Sequence, residues 1–567
     1  MATGRLRVTG ETPPATSFRP WFETSTLLLI LAASVWLTVD QTLPPAPSPA
    51  DAPVDEFSAQ RAMAHLEVIA AEPRLVGSPA FEEARDYVMT ELASLGLTVE
   101  VQRTRLGFPV ENVVARIDGT SSSDALLLVA HLDSVSAAPG AMDDGSGVVV
   151  LLETARALRE GPPLSNSVIF LFTGPEETGG HGARAFITEH LWVDDVKVVA
   201  NFDAGGMGGP VELTSTSLDN GWLISQLAKA DQTAYGNSGS GEGSSDFTIV
   251  FEPAGFSGYA FDNSWDRRTH SPFDTFENAR ADTIQQAGNQ ALSLASYFGN
   301  LESLEDPRDP SPIYFNVLRL GIVRYPEALV VPLAALVAVA FAAALFVGFR
   351  RRVLTPSRSI LGIIVYLMGL AAAIGAVLGI WALLSGTDSY QVAYNRHAPN
   401  ELLLLALFAA ITVALTVTVQ TAASRIWKIS DPDLTAGALA VVVVGAIVFA
   451  VGMPETSFMV IWPALLAVLA AGYWFLSQDA GSESLSVGQL VGFGIVAVGA
   501  VALTLPTFMS AFMASEANDW TLPIALLGIL LGILVPQLRA IVKPQRWLTT
   551  AAAWIPGITL LVIAFIA

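Results

Sequence analysis

Only six histidines occur in 567 residues, and two of them stand among acidic residues in a pattern that could do chemistry. His131 closes an apolar run, LLLVAH, with Asp133 two residues on. Asp143 and Asp144 lie in a turn bracketed by glycines, PGAMDDGSG. Glu176 and Glu177 follow a second apolar run in TGPEETGG, Asp203 follows a third in ANFDAGG, and RTHSPFDT supplies His270 and Asp274. Two imidazoles and three carboxylates, one of them bridging, can hold two divalent ions. Zinc accepts nitrogen and oxygen donors of this kind and keeps a position open when it is catalytic. A metal pair can clamp the attacking and the developing oxygen of a hydrolysis. The glycine-rich turn is a poor phosphate cradle, because its two aspartates would repel the anion.

These residues need a scaffold that brings them to one place. The stretches 57–71 and 79–95 have helical periodicity. The β-branched runs 97–103, 110–117, 125–131, 167–173 and 196–202 predict strands, with helices over 144–159 and 181–190 between the later ones. Strands alternating with helices imply an α/β domain with a mostly parallel central sheet flanked by helices. Ligands bind beyond the carboxyl ends of such strands, where His131, Glu176, Glu177 and Asp203 all fall.

The ordered set H-x-D, D-D-G-S-G, E-E, a strand-end D and a late H resembles the co-catalytic zinc aminopeptidase family. RLVGSPAFEEAR (74–85) is similar to that family's entry segment. The resemblance covers roughly residues 54–302. One helix, then this domain, then many helices is similar to a membrane branch that includes the vacuolar membrane protease and the endoplasmic reticulum metallopeptidase. The resemblance implies two Zn²⁺ per chain, with Asp143 bridging, His131 and Asp203 on one ion, and Glu177 and His270 on the other. It implies Glu176 as general base, passing a proton from the attacking water to the leaving amine. It implies Asp133 as the acceptor of the second ring N–H of His131, and Asp144 as the holder of a turn in which the family often has a cis peptide. Ser245 and Asp246, in GEGSSDF, would line the substrate pocket. The family's Tyr-His-Thr is here Arg268-Thr269-His270-Ser271, so Tyr259 becomes the candidate for the missing hydroxyl. The expected activity is a membrane-anchored exopeptidase, most readily an aminopeptidase. A catalytically inactive peptidase-fold scaffold and a single-zinc acyl transferase resembling glutaminyl cyclase are the alternatives. A transporter is disfavoured by the uncharged helices.

The other ionisable residues read as surface. His65, His190 and His397 are expected on the exterior, His181 in an exposed loop, and Asp262, Asp266, Arg267 and Arg268 in a solvated one.

Charge and hydropathy divide the chain. Mean hydropathy is +0.50 and only 14% of residues are charged, against roughly 25% in soluble chains. Residues 51–310 nevertheless hold 39 acidic and 15 basic residues. So acidic a domain excludes nucleic acid as a partner, since phosphate binding needs clustered Lys and Arg. There is no cysteine, which excludes disulfides and thiolate chemistry and favours a bacterial origin.

Apolar runs of spanning length complete the layout. It comprises a cytoplasmic tail (1–21), a transmembrane anchor helix (22–39), a Pro-rich linker (40–53), the zinc exopeptidase domain (54–302), a second linker (303–327) and a bundle of about eight transmembrane helices (328–567). The spans are expected near 328–349, 359–384, 401–422, 436–453, 457–476, 487–513, 520–538 and 547–566. Basic residues favour the cytoplasmic side. Arg350–Arg352, Arg358, Arg425, Lys428, Arg539, Lys543 and Arg546 then fall inside, against Arg396 outside. This places the N-terminus in the cytoplasm and the peptidase domain on the extracytoplasmic side, as on the periplasmic face of a bacterial inner membrane. The expected partners are a peptide substrate and the lipid bilayer.

Overall fold

A computed structural model describes residues 19–231, 233–240, 243–304, 308–387, 400–478, 484–515, 519–542 and 550–566. Most of the tail read as cytoplasmic (residues 1–18), with Arg396, His397, Lys543 and Arg546, lies outside the described residues.

The strands β1 (Thr98–Leu106), β2 (Phe108–Ile117), β3 (Ala125–His131), β4 (Ser167–Thr173), β5 (Val196–Phe202), β6 (Glu212–Thr216), β7 (Tyr235–Gly236) and β8 (Ser257–Asp262) form one sheet, in the order β1-β2-β4-β3-β5-β8-β6-β7. Its centre, β4-β3-β5-β8, is parallel. The β1-β2, β2-β4 and β6-β8 pairs are antiparallel, so the sheet is mixed. The central strands are apolar on both faces because helices cover both faces. Side chains alternate accordingly. Leu126, Leu128 and Ala130 pack on the side of α2 (Ala59–Ile69), α3 (Pro79–Ser94), α4 (Gly145–Glu160) and α7 (Ala281–Gly299). Leu127 and Val129 pack on the side of α5 (His181–Glu189). The helix α6 (Gly221–Ala230) follows β6.

The segments read as linkers are structured. Residues 44–53 are pinned to the α/β domain: Ser48 N–H donates to Gln285 Oε1 at 2.7 Å, and the Arg61 guanidinium donates to the carbonyls of Ala50 and Ala52. Within 303–327, β9 (Pro312–Asn316) and β10 (Ile322–Pro326) form a hairpin.

Seven helices among the described residues are long and apolar enough to cross a membrane. They are α1 (Arg19–Thr42), α8 (Val330–Arg350), α9 (Pro356–Leu384), α10 (Glu401–Ile426), α11 (Asp431–Gly452), α12 (Phe458–Ser477) and α13 (Val487–Ala514). The span expected at 520–538 is instead a broken pair, α14 (Thr521–Ile533) and α15 (Val535–Val542), bent by 67°. The span expected at 547–566 is described as a short apolar helix, α16 (Trp554–Ile566), of 13 residues. Arg539, expected in a loop, is buried beyond the bend and forms an ion pair with the half-buried Asp431 at 2.8 Å. Helices α9 and α11 approach closely at Gly362 and Gly437, where a Cβ on Gly437 would lie 2.3 Å from the Gly362 backbone. The first helix, α1, packs on α13 and α15.

Candidate metal centre

The four parallel strands deliver their carboxyl ends to one rim. β3 ends at His131, and the loop after it returns to the rim at Asp143, held from three sides. The carboxylate of Asp274 accepts the N–H groups of Met142 (2.7 Å) and Asp143 (3.2 Å). The carboxylate of Asp144 accepts those of His131 (3.0 Å) and Gly147 (2.8 Å), which also caps α4. Arg74, fully buried, donates to the carbonyls of Leu132 (2.7 Å), Gly140 (2.9 Å), Ile69 and Pro139. The Asp143–Asp144 peptide is cis, as is Gly174–Pro175.

The turn after β4 is held in a similar way. The carboxylate of Asp133 accepts the N–H of Glu176 at 2.9 Å and of Glu177 at 3.3 Å. The His131 ring faces the backbone carbonyl of Asp133 through Nδ1 at 3.0 Å, while the carboxylate is 3.6 Å away and occupied with the Glu-Glu turn.

His131 Nε2 lies 3.0 Å from Asp143 Oδ1 and 3.6 Å from Asp203 Oδ1. His270 Nε2 lies 2.9 Å from Asp143 Oδ2 and 3.1 Å from Glu177 Oε2. Two triads result, His131–Asp143–Asp203 and Asp143–Glu177–His270, each with its ligand atoms within 4.8 Å of one another. Asp143 belongs to both and offers a different oxygen to each. The donor set suits zinc. Glu177 Oε1, buried without a hydrogen-bond partner, is a further ligand atom for a cation.

Electrostatics agree with a cation site. Burial disfavours charge on Asp143, but its bonds to His131 and His270 prevail and hold it at about 2. The bonds of His270 to Asp143 and Glu177 push it up to about 10. Burial, with neighbouring carboxylates, pushes Glu176 up to about 9 and Asp262 to about 8. The protein has concentrated negative charge here beyond what its two histidines neutralise.

A cavity of about 590 Å³ opens over the triads. His131, Asp143, Glu176, Glu177, Asp203 and His270 line it. So do Asp262 and Arg267, which corrects their placement in a solvated loop; Arg268 pairs instead with Asp266. Asp133, Asp144 and Asp274 act through backbone N–H groups behind the metal-binding rim. Asp246 is buried behind it too, accepting from Thr173 Oγ1, and the cavity reaches Gly243 and Ser244 rather than Ser245. Tyr259 is not at the site: strand alternation turns it into the core, where its hydroxyl donates to the Leu223 carbonyl at 2.7 Å. His190 is buried, stacked on Phe186 with Nε2 3.0 Å from Glu100, contrary to its expected exposure. His65 bonds the Tyr87 hydroxyl at 2.8 Å, and His181 packs edge-on against Phe108.

Arg74 has a part that its residue type concealed, since a lone arginine reads as surface. Replacing it with methionine strips the donors from the carbonyls of the metal loop. Arg74→Met should destabilise the domain by about 3 kcal/mol and lower metal affinity while touching no ligand. Thermal melting and zinc titration of the purified variant check this, and an unchanged melting temperature would refute it.

Residues 112–295 match the model of Peptidase family M28. The chain is 27% identical over 431 residues to the rat endoplasmic reticulum metallopeptidase 1, covering 68% of this chain and 47% of that protein. It is 32% identical over 228 residues to a probable lipoprotein aminopeptidase of Mycobacterium tuberculosis, covering 35% of this chain and 45% of that one. The chain thus spans about half the length of these two relatives. A zinc aminopeptidase structure from Bacillus subtilis aligns with a TM-score of 0.39 at 16% identity, covering 45% of this chain and 98% of that one. The 68% share shared with the rat protein exceeds what residues 54–302 can supply, so that likeness runs on into the membrane helices. A multi-pass membrane protein by its apolar helices, the chain presents this metal-binding rim at the ends of its sheet strands and is similar over residues 112–295 to peptidase family M28.

Proposed function

We propose that this chain is a zinc-dependent exopeptidase, an aminopeptidase that hydrolyses peptides on the extracytoplasmic side of the membrane. The observation that carries the reading is the pair of triads sharing Asp143, with Glu176 beside them in a cavity large enough for a peptide end. His131, Asp143 and Asp203 would hold one zinc, and Asp143, Glu177 and His270 the other. Zinc bound there supplies a Lewis acid for the scissile carbonyl and for the attacking water. Glu176 belongs to neither triad. It takes the proton from the attacking water and returns it to the departing amine. Asp133 orients Glu176 by fixing the backbone that carries it. The acidic lining of the cavity favours a cationic substrate end. The second triad supports two ions over the single-zinc acyl transferase, and the complete ligand set favours catalysis over an inert scaffold.

The test uses the full-length protein in detergent. Two zinc ions per chain are expected, with cleavage of peptides bearing a free N-terminus and no cleavage of their acetylated counterparts. Chelation should abolish activity and added zinc restore it. A preparation that holds two zinc ions and cleaves neither peptide set would overturn the proposal.

A further inference from the structure

The cavity over the metal-binding rim is not enclosed by the peptidase domain alone. One of its lining residues is Ala514, the last residue of the membrane helix α13 and some 240 positions beyond His270 in sequence. We infer that Ala514 is a specificity-determining wall of the substrate cavity, which is complete only when the peptidase domain is seated on the helix bundle. This rests on the exopeptidase reading above and adds to it the part of the molecule that limits substrate size.

Four contacts hold the seat. One turn before Ala514, Ser510 Oγ donates to Glu212 Oε1 of β6 at 2.6 Å, and the Tyr235 hydroxyl of β7 lies 3.4 Å from the same Ser510 oxygen. Glu212 and Tyr235 are buried, so this is a desolvated polar contact and not an exposed one. On the hairpin, Phe315 stacks on Phe458 at the start of α12, with centroids 4.4 Å apart and planes 6° from parallel. Between these, Ser238 Oγ donates to the Glu455 carbonyl at 2.7 Å in the turn joining α11 to α12. The domain is therefore held to the bundle along β6, β7 and β9, and this places the α13 terminus at the cavity.

The wall is a methyl group. A small side chain there leaves room in the cavity, and a larger one fills it from the membrane side without approaching the sheet that carries the ligands. Substrate length and bulk should therefore respond to position 514 through KM, with zinc content unaffected.

The chain has no cysteine, so A514C introduces a unique thiol. Full-length A514C, loaded with zinc, is alkylated with a bulky maleimide and compared with its unlabelled form on a dipeptide amide and an octapeptide. L191C, on an exposed surface residue of the peptidase domain, is the control. Labelled A514C should lose about tenfold in kcat/KM on the octapeptide, mainly in KM, with a smaller loss on the dipeptide amide. Labelled L191C should keep its rate. In a second arm that needs no turnover, A514C paired with S244C should be joined by a short bis-maleimide. Labelled A514C with unchanged kinetics on both substrates, or a pair that does not cross-link, would overturn the wall. Failure of the exopeptidase reading is distinguishable: unlabelled enzyme would not hydrolyse peptide, yet the cross-link would still form.

Discussion

Glu176→Gln should lower kcat for peptide hydrolysis by roughly 10³-fold, with zinc content unchanged and KM altered by no more than about twofold. The amide has the shape of the carboxylate but cannot accept a proton from water. Glu176 contributes to neither triad, so metal binding has no reason to change. Its backbone N–H, which Asp133 accepts at 2.9 Å, survives the substitution and keeps the turn in place. The outcome separates a chemical role from a structural one. A variant that lost zinc along with activity would show that Glu176 supports the site, and one that kept its rate would remove it from the mechanism.

Asp143→Ala should have the larger effect on metal content. Each triad has three members and Asp143 is the member common to both, facing His131 with Oδ1 and His270 with Oδ2. Its loss leaves each ion one protein ligand short at the same time. Zinc should fall from about two per chain to below one, and kcat/KM by about 10³-fold or more, since a Lewis acid is worth several kcal/mol of transition-state stabilisation. Glu177→Ala belongs beside it as a comparison, because Glu177 serves one triad only. It should release one ion and keep the other. Elemental analysis of the dialysed proteins reads both results, and equal zinc content in the two variants would contradict the bridging position of Asp143.

Much of this site could be read from sequence because its chemistry falls at strand ends. β3, β4 and β5 are continuous apolar runs with polar residues directly after them, and they form over the residues that pattern predicts. β6, β7 and β8 gave no such signal. β7 is two residues long, and β8 is short and opens with Ser-Gly. Without β8 in view, the direction of Tyr259 could not be worked out, and its core position went unseen. Arg74 was hidden for a different reason. It acts on backbone carbonyls as distant in sequence as Leu132 and Gly140, and its residue type does not announce that, whereas Asp274 was already a candidate near the site. Hydropathy was equally blind to the break between α14 and α15, because a run that is apolar throughout carries no mark where it bends. Ala514 lay beyond reach altogether: an alanine at the end of a membrane helix acquires meaning only once the fold sets it in the wall of the cavity that His270 also lines.

The way the chain enters and leaves the peptidase domain has a consequence for its release. The Arg319 guanidinium, just past β9, donates to the carbonyl of Leu43, just past α1, so the two crossing points are clasped together. α1 itself is lodged in the bundle, with Leu27 buried and Thr24 Oγ1 3.4 Å from the Ala540 carbonyl of α15. A protease that severed the segment between α1 and α2 would therefore nick the molecule without releasing the domain that carries the metal-binding rim. The severed domain would remain tethered through β10 and α8 and gripped by α12 and α13. Shedding would take a second scission, after the hairpin, together with the loss of the aromatic stack on Phe458.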